Sequence, residues 1–294
     1  MKFSIVTITY NRAHLIGETI ESVLQQTYQD FEHIIIDDGS TDNTEEIIKN
    51  FNDKRIKYFK YKKIGLRSYL RNEGIRKAKG ELITILDSDD IWYKNKLREI
   101  HTIFSRRNDV NFIIHNIAYF QQREFVEKAY YYYKKDFFNN IFSEVLNNKI
   151  KPFSIYTFRK SILNTFGLLD ENLLDGQHDF YLRISLKNDI YYLNKTLTYI
   201  RKHDQNLSLT FDIVHLHDMI KTLDKLKAGN NIDKTLYIKQ HTLFNYKIAV
   251  YYIKNKKKHK GLEYLNKVIR QTPFLSKLYT KSQILKFSIS TFNN

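Results

Sequence analysis

The sequence predicts an α/β fold, a mostly parallel sheet flanked by helices up to about Thr210, followed by a basic helical appendage. Three observations carry this expectation. Short β-rich apolar segments alternate with segments whose apolar residues recur at helical spacing, as in a parallel sheet with helices on its faces. Two of those strand segments, Glu32–Asp37 and Glu81–Leu86, run into clusters of carboxylates. Beyond Thr210 the strand signals fade and helical spacing alone remains.

Each element has its own signal. Phe3–Tyr10 alternates and is β-rich, which predicts a strand. In Leu15–Gln26, Ile16, Ile20, Val23 and Leu24 fall on one helical stripe. Glu32–Asp37 is a continuous apolar run, the mark of a parallel strand buried on both faces. Ser40, Thr41 and Asp42 are N-cap candidates for a helix reaching Asn50. Arg55–Tyr61 reads as a strand, and Ser68–Ala78 as a helix stopped by Gly80. A strand at Glu81–Leu86, a helix at Tyr93–Arg106 and a strand at Val110–Ala118 follow. Tyr119–Asn148 turns polar and aromatic and reads as an insertion over the sheet. In the appendage, Leu236, Leu243, Tyr246, Val250 and Ile253 keep helical spacing, as do Leu262, Leu265 and Ile269. The expected organisation is therefore residues 1–210 and 211–294.

Composition narrows the function classes. At 294 residues the chain can bury a full core and carry a second, smaller unit. Without cysteine, disulfides and thiolate metal sites are excluded. No uncharged apolar run approaches the roughly 20 residues of a membrane span. The opening segment meets Asn11 and Arg12 too early for a signal peptide, so the expected location is cytoplasmic. The net charge of +16 is uneven: from Phe211 onward 16 Lys+Arg stand against 5 Asp+Glu. Such a tail could be drawn to an anionic membrane surface, peripherally at the inner face of the cell membrane. A nucleic-acid binder would explain that charge but not the acidic strand ends, which repel phosphate, so no nucleic-acid partner is expected.

Those strand ends are where the chemistry lies. In open α/β sheets, ligands bind outside the carboxyl ends of the strands. Asp37 and Asp38 thus sit where a nucleotide would, followed by Gly39-Ser40. The run Asp87-Ser88-Asp89-Asp90 repeats the arrangement, and two such ends suggest a nucleotide and a hard divalent cation in one site. Arg71 carries a guanidinium suited to a diphosphate, with a helix-surface ion pair as the alternative. Gly74 and Gly80 lack the spacing and the Lys-Ser/Thr of a phosphate loop. Trp92, the single tryptophan, reads as a core residue.

Taken together and in order, the segments TYNR, ESVLQQTYQDFEHIIIDDGSTDNT and RNEGIRKAKGELITILDSDD resemble the inverting family-2 nucleotide-sugar glycosyltransferases. The resemblance covers roughly residues 3 to 210 and leaves out the tail. It implies a GT-A fold and metal-dependent transfer of a hexose or N-acetylhexosamine from a UDP-sugar to a glycan or lipid-linked acceptor, in bacterial surface-polysaccharide synthesis. By the same resemblance Asp38 would accept the uracil N–H, and Thr9, Tyr10 and Arg12 would line the base and ribose. Arg71 would lie near the diphosphate, Asp87 would contact the ribose, and Asp89 would hold Mn²⁺ or Mg²⁺. Asp37 and Asp90 read as helix caps. Tyr199–His203 with Ser208 is similar to the closing element of the family, which implies His203 at the metal or the diphosphate.

One motif departs from the family. An inverting transferase needs a base for the acceptor hydroxyl. The family offers a Glu-Asp pair with an arginine six residues beyond its second acid. Counting back from Arg183 puts Gln177 in that place, and an amide is no base. A one-residue deletion brings Asp179 or His178 into position, and Asp175 is a third candidate. Asp179 also has the spacing for an ion pair with Arg183 on one helix. The broken motif leaves a second expectation open, a non-catalytic protein that binds nucleotide-sugar or glycan as a scaffold.

Overall fold

The computed structural model describes residues 1–121, 124–127, 134–147, 149–150, 154–202, 213–271 and 277–291. It divides into two compact units, Met1–Asn206 and Leu207–Asn294.

The first unit opens with β1 (Phe3–Thr9), α1 (Ala13–Leu24), β2 (Phe31–Asp37), α2 (Thr44–Asn50), β3 (Ile56–Lys60), α3 (Arg67–Lys77) and β4 (Leu82–Ile85). It continues with β5 (Ile91–Trp92), α4 (Lys96–Arg106), β6 (Phe112–Gln121), β7 (Glu124–Glu127), β8 (Phe137–Asn139) and α5 (Phe142–Leu146). β9 (Thr157–Arg159), α6 (Leu163–Phe166), α7 (Gln177–Ser185) and the long β10 (Ile190–Arg201) complete it.

One sheet runs in the order β3-β2-β1-β4-β9-β6-β10-β5, with β7 on β6 and β8 on β10. Its first four strands are parallel, the expected nucleotide-binding half. Beyond them the sheet is mixed, because the short β9 enters antiparallel between β4 and β6. The segment read as an insertion, Tyr119–Asn148, supplies the end of β6 and all of β7, β8 and α5.

Burial explains the apolar runs. Every residue of β2 is buried, with α1 and α2 covering one face through Ile16, Ile20, Ile35 and Ile48. On the same face, toward the other end of the strands, Phe3, Ile5 and Leu82 pack with Val23 of α1 and with Trp92, Leu97, Ile100 and Phe104. Trp92 is thus in the core. An aromatic cluster then fixes α7 on the sheet: Tyr156 stacks on Phe112 at 5.4 Å and meets Tyr181 edge-on at 5.2 Å.

The second unit contains α8 (Ile213–Ala228), α9 (Lys234–Lys254), α10 (Lys258–Gln271) and α11 (Lys277–Thr291). Asp233 caps α9 by accepting from the Leu236 N–H at 2.8 Å. Ala249 and Leu265 form its small core with Tyr246, Ile253 and Leu262. Among the described residues, no helix is long and apolar enough to cross a membrane.

Candidate active site

The parallel register sets Thr9 opposite Asp37 and Asp37 opposite Lys60, so the carboxyl ends of β1, β2 and β3 finish level. The two aspartates there divide the work. Asp37 serves the turn: Oδ1 accepts the Ser40 N–H at 2.7 Å and Oδ2 accepts the Tyr58 hydroxyl at 2.6 Å. Burial, then that bond, pushes the Tyr58 phenol pKa up. Gly39 has φ +76, and a Cβ there would lie 2.8 Å from the Lys63 nitrogen. Glycine therefore lets the segment after β3 close over Asp38.

Asp38 is held by the segment that follows β3. Its carboxylate accepts from the Ile64 N–H at 2.6 Å and the Gly65 N–H at 3.0 Å, and pairs with Lys63 Nζ at 2.7 Å. The same ammonium sits 3.1 Å from the centroid of the Tyr10 ring, which is 39 % exposed. Thr9 Oγ1 is buried without a hydrogen-bond partner among the described residues. The structure brings Thr9, Tyr10 and Asp38 together, with Lys63 between the ring and the carboxylate. No motif in the sequence points to Lys63.

The second acidic strand end follows β4, where the Leu86 N–H donates to the Val6 carbonyl at 3.0 Å. Asp87 Oδ1 accepts from Ser154 Oγ at 2.9 Å and lies 3.5 Å from Arg71 NH2. Among the described residues Oδ2 has no hydrogen-bond partner. Burial raises the Asp87 pKa, Arg71 draws it back, and repulsion from Asp89 raises it again. Asp89 Oδ2 stands 3.9 Å from Arg12 Nε. Asp90 is not a helix cap: Asn95 precedes α4, and Asp90 Oδ1 accepts the Arg201 N–H at 3.1 Å. Burial, with Asp89 and Asp87 adding, holds Asp90 well above the usual carboxylate range.

Arg71 is only 2 % exposed and joins this end to the start of α7. Its NH1 donates to Asp175 Oδ2 at 3.0 Å, which also accepts Arg67 Nε at 2.9 Å. Burial alone would lower the guanidinium pKa, but Asp175 and then Asp87 raise it, so Arg71 stays a cation. Gly176, at φ +73, turns the chain into α7, where a Cβ would lie 3.2 Å from that of Ser68. Gln177 is buried with Oε1 3.2 Å from Ser154 Oγ. His178 is buried beside it. The Asp179 side chain is 3 % exposed and accepts from Arg183 Nε at 2.7 Å, the helix pairing its spacing allowed. Arg183 donates further to the carbonyls of Phe166 and, at 2.9 Å, Leu168.

Arg71, Asp87, Ser154, Asp175 and Gln177 thus form one cluster, and Ser154 belongs to it without any sequence motif. His203 lies outside the described residues. Among those residues no group of three or more His, Asp or Glu is arranged to hold a metal ion. A magnesium-like ion needs no such cage, since one or two carboxylates plus substrate phosphates suffice. Asp89, beside the charge-crowded Asp87, fits that partial role.

The family model described as "Glycosyl transferase family 2" matches residues 4–167. The chain is 36% identical over 203 residues to an uncharacterised glycosyltransferase of Rickettsia conorii, across 68% of this chain and 33% of that protein. It therefore spans about a third of the length of that relative. It is 37% identical over 125 residues, 42% of this chain and 49% of the relative, to WfgD of Escherichia coli. WfgD is described as a UDP-Glc:alpha-D-GlcNAc-diphosphoundecaprenol beta-1,3-glucosyltransferase. The crystal structure of S. aureus TarS 1–349 in complex with UDP-GlcNAc superposes with a TM-score of 0.70 at 18% identity. That likeness covers 93% of this chain and 82% of the TarS chain and concerns the fold.

Proposed function

As this chain belongs to glycosyl transferase family 2, we propose that it transfers a hexose or N-acetylhexosamine from a UDP-sugar to a lipid-linked glycan. The observation that carries the reading is the convergence of two acidic strand ends on one side of the sheet: Asp38 beside Tyr10, and Asp87 with Asp89. The activity named for WfgD, a UDP-sugar donor and a diphosphoundecaprenol-linked acceptor, supports this class of substrates.

In this reading uracil stacks on Tyr10 and donates its N–H to Asp38, displacing Lys63, while Thr9 Oγ1 takes a polar contact to the nucleoside. Asp87 accepts from the ribose. Asp89 would hold a divalent ion, Mn²⁺ or Mg²⁺, which when bound would supply Lewis-acid stabilisation of the leaving diphosphate. Arg12, 3.9 Å from Asp89, adds positive charge at the same end.

The acceptor hydroxyl must lose a proton as it attacks the anomeric carbon. Of the two carboxylates at the start of α7, we assign this to Asp175, whose side chain is 19 % exposed and belongs to the Arg71–Asp87 cluster. Asp179 is the buried partner of Arg183 and fastens the helix. Arg71 keeps Asp87 and Asp175 apart and oriented. The exposed lysines around the α9–α10 junction would meet the anionic membrane that carries a lipid-linked acceptor.

The test is UDP release from a panel of UDP-sugars, with Mn²⁺ and with a chelator, for the wild type and Asp89→Ala. Metal-dependent release from one donor, lost in Asp89→Ala, is the expected result. Tight UDP binding without turnover on any donor or lipid-linked acceptor would instead support the scaffold reading.

A further inference from the structure

Gln177 occupies the place where the family pattern calls for a base, and its surroundings give it another task. Ser154 and Gln177 are both buried. Ser154 Oγ lies 2.9 Å from Asp87 Oδ1 and 3.2 Å from the side-chain amide of Gln177. A serine hydroxyl carries one proton and can donate to one of them only. The carboxylate takes it, as the stronger acceptor and at the shorter distance. The second contact then needs a donor on residue 177. An amide supplies one, because its oxygen and nitrogen exchange places by a half-turn of the group. The resulting chain runs in one direction, from Gln177 N–H to Ser154 Oγ and from Ser154 O–H to Asp87 Oδ1.

A carboxylate at 177 would break this chain. It would be a second acceptor facing a hydroxyl whose proton is already committed, buried and close to a like charge. The amide is thus the group this position requires. Among the described residues, the two hydrogen-bond partners of Asp87, Ser154 and Arg71, both meet Oδ1. Their joint effect is to fix the rotamer of Asp87 so that Oδ2 is left for a ligand.

We propose that Gln177 is a positioning residue of the donor site, acting through Ser154 to orient Asp87 for the nucleoside diphosphate, and is not a disabled base. This rests on the reading of the site as a UDP-sugar site. It assigns a role to the residue that departs from the family motif, and it requires the base to be a different group.

The experiment is calorimetry of UDP binding to the full chain, comparing wild type, Gln177→Glu, Ser154→Ala and the double variant, each checked for unchanged thermal unfolding. Gln177→Glu should weaken UDP binding about tenfold at pH 8, the scale of a hydrogen bond made to a charged group. The loss should shrink as the pH is lowered, because the introduced carboxyl regains a donor once protonated while wild type has nothing to regain. Ser154→Ala should cost about as much, and adding Gln177→Glu to it should cost little more. Unchanged UDP affinity in Gln177→Glu and Ser154→Ala overturns the inference while leaving the UDP-sugar site intact. Faster turnover in Gln177→Glu with unchanged affinity also overturns it, by restoring a base at 177. A wild-type chain that binds no UDP overturns the reading beneath it as well.

Discussion

Asp179 Oδ2 accepts a 2.7 Å hydrogen bond from Nε of Arg183, one turn further along α7. That contact carries on into the loop before the helix, since Arg183 also donates to the carbonyls of Phe166 and Leu168. A carboxylate in this position holds a helix to a loop. Asp175, four residues earlier, instead shares Arg71 with Asp87 at the strand end.

The two carboxylates should therefore fail in different ways. Asp179→Asn should lower stability by about 2–4 kcal/mol, as when one partner of a buried pair is removed, and leave kcat of the surviving folded protein within a fewfold of wild type. Asp175→Asn should cost about a hundredfold or more in kcat, in the range of a lost general base, with UDP affinity changed much less. Chemical denaturation and single-turnover rates on a responsive donor separate the two. A catalytic loss confined to Asp179→Asn would move the base back to that residue.

Lys63 should compete with the nucleoside. Its ammonium lies between the Tyr10 ring and Asp38, the slot into which uracil would fit. Half-exposed and paired, it contributes on the order of 1 kcal/mol. Lys63→Ala should bind uridine several-fold more tightly than wild type does, measured by calorimetry. UDP should gain less, since a displaced lysine can turn to the phosphates. Weaker uridine binding in the variant would show that Lys63 is part of the base site and no obstacle to it.

Lys96 makes a pH-dependent prediction. It is fully buried, with Nζ 3.1 Å from Thr198 Oγ1 and 3.9 Å from the Trp92 ring centroid. Burial holds its pKa well below the usual 10.5, with Asp90 opposing. Between that depressed value and the unfolded one, the unfolded chain binds more protons, so the wild type gains stability as pH rises through this window. Lys96→Met removes the buried ammonium at similar volume and should stabilise the protein by about 1–3 kcal/mol at neutral pH. The advantage should disappear near the unfolded lysine value. Thermal melts across that range decide it, and a destabilised variant at pH 7 would mean that the Trp92 and Thr198 contacts outweigh desolvation.

What the sequence disclosed follows from how far apart the interacting groups are along the chain. Asp38 and Asp89 stand out as candidates because each follows a strand whose apolar run announces it, and ligands bind outside the carboxyl ends of such strands. The contacts that build the other half of the site are long-range. Ser154 reaches Asp87 across 67 residues and Arg71 reaches Asp175 across 104, so no local spacing encodes either contact. β9 is three residues long, too short for any periodicity, yet it turns a parallel sheet into a mixed one. Asp37 and Asp38 are adjacent and chemically identical. The contacts separate them: the Ser40 N–H and the Tyr58 hydroxyl take up Asp37, whereas Asp38 meets Lys63 and the Ile64 and Gly65 N–H groups.

The charge of the second unit leads to the remaining prediction. Lys254, Lys256, Lys257, Lys258 and Lys260 are all exposed at the junction of α9 and α10, with His259 among them and no acidic residue in that run. Each cation near an anionic bilayer contributes about 1 kcal/mol. Reversing Lys256, Lys257, Lys258 and Lys260 to glutamate should therefore lower partitioning onto phosphatidylglycerol vesicles by at least a hundredfold. Binding of the wild type should fall steeply with added salt, because exposed charges are screened within a Debye length. Vesicles of phosphatidylcholine alone should bind neither protein. UDP affinity should be the same in both, since these lysines belong to a unit separate from the strand ends that hold Asp38 and Asp89. Sedimentation with the two kinds of vesicle, at low and high salt, measures all of this. Equal partitioning of wild type and the charge-reversed variant would assign the tail's charge to something other than a membrane.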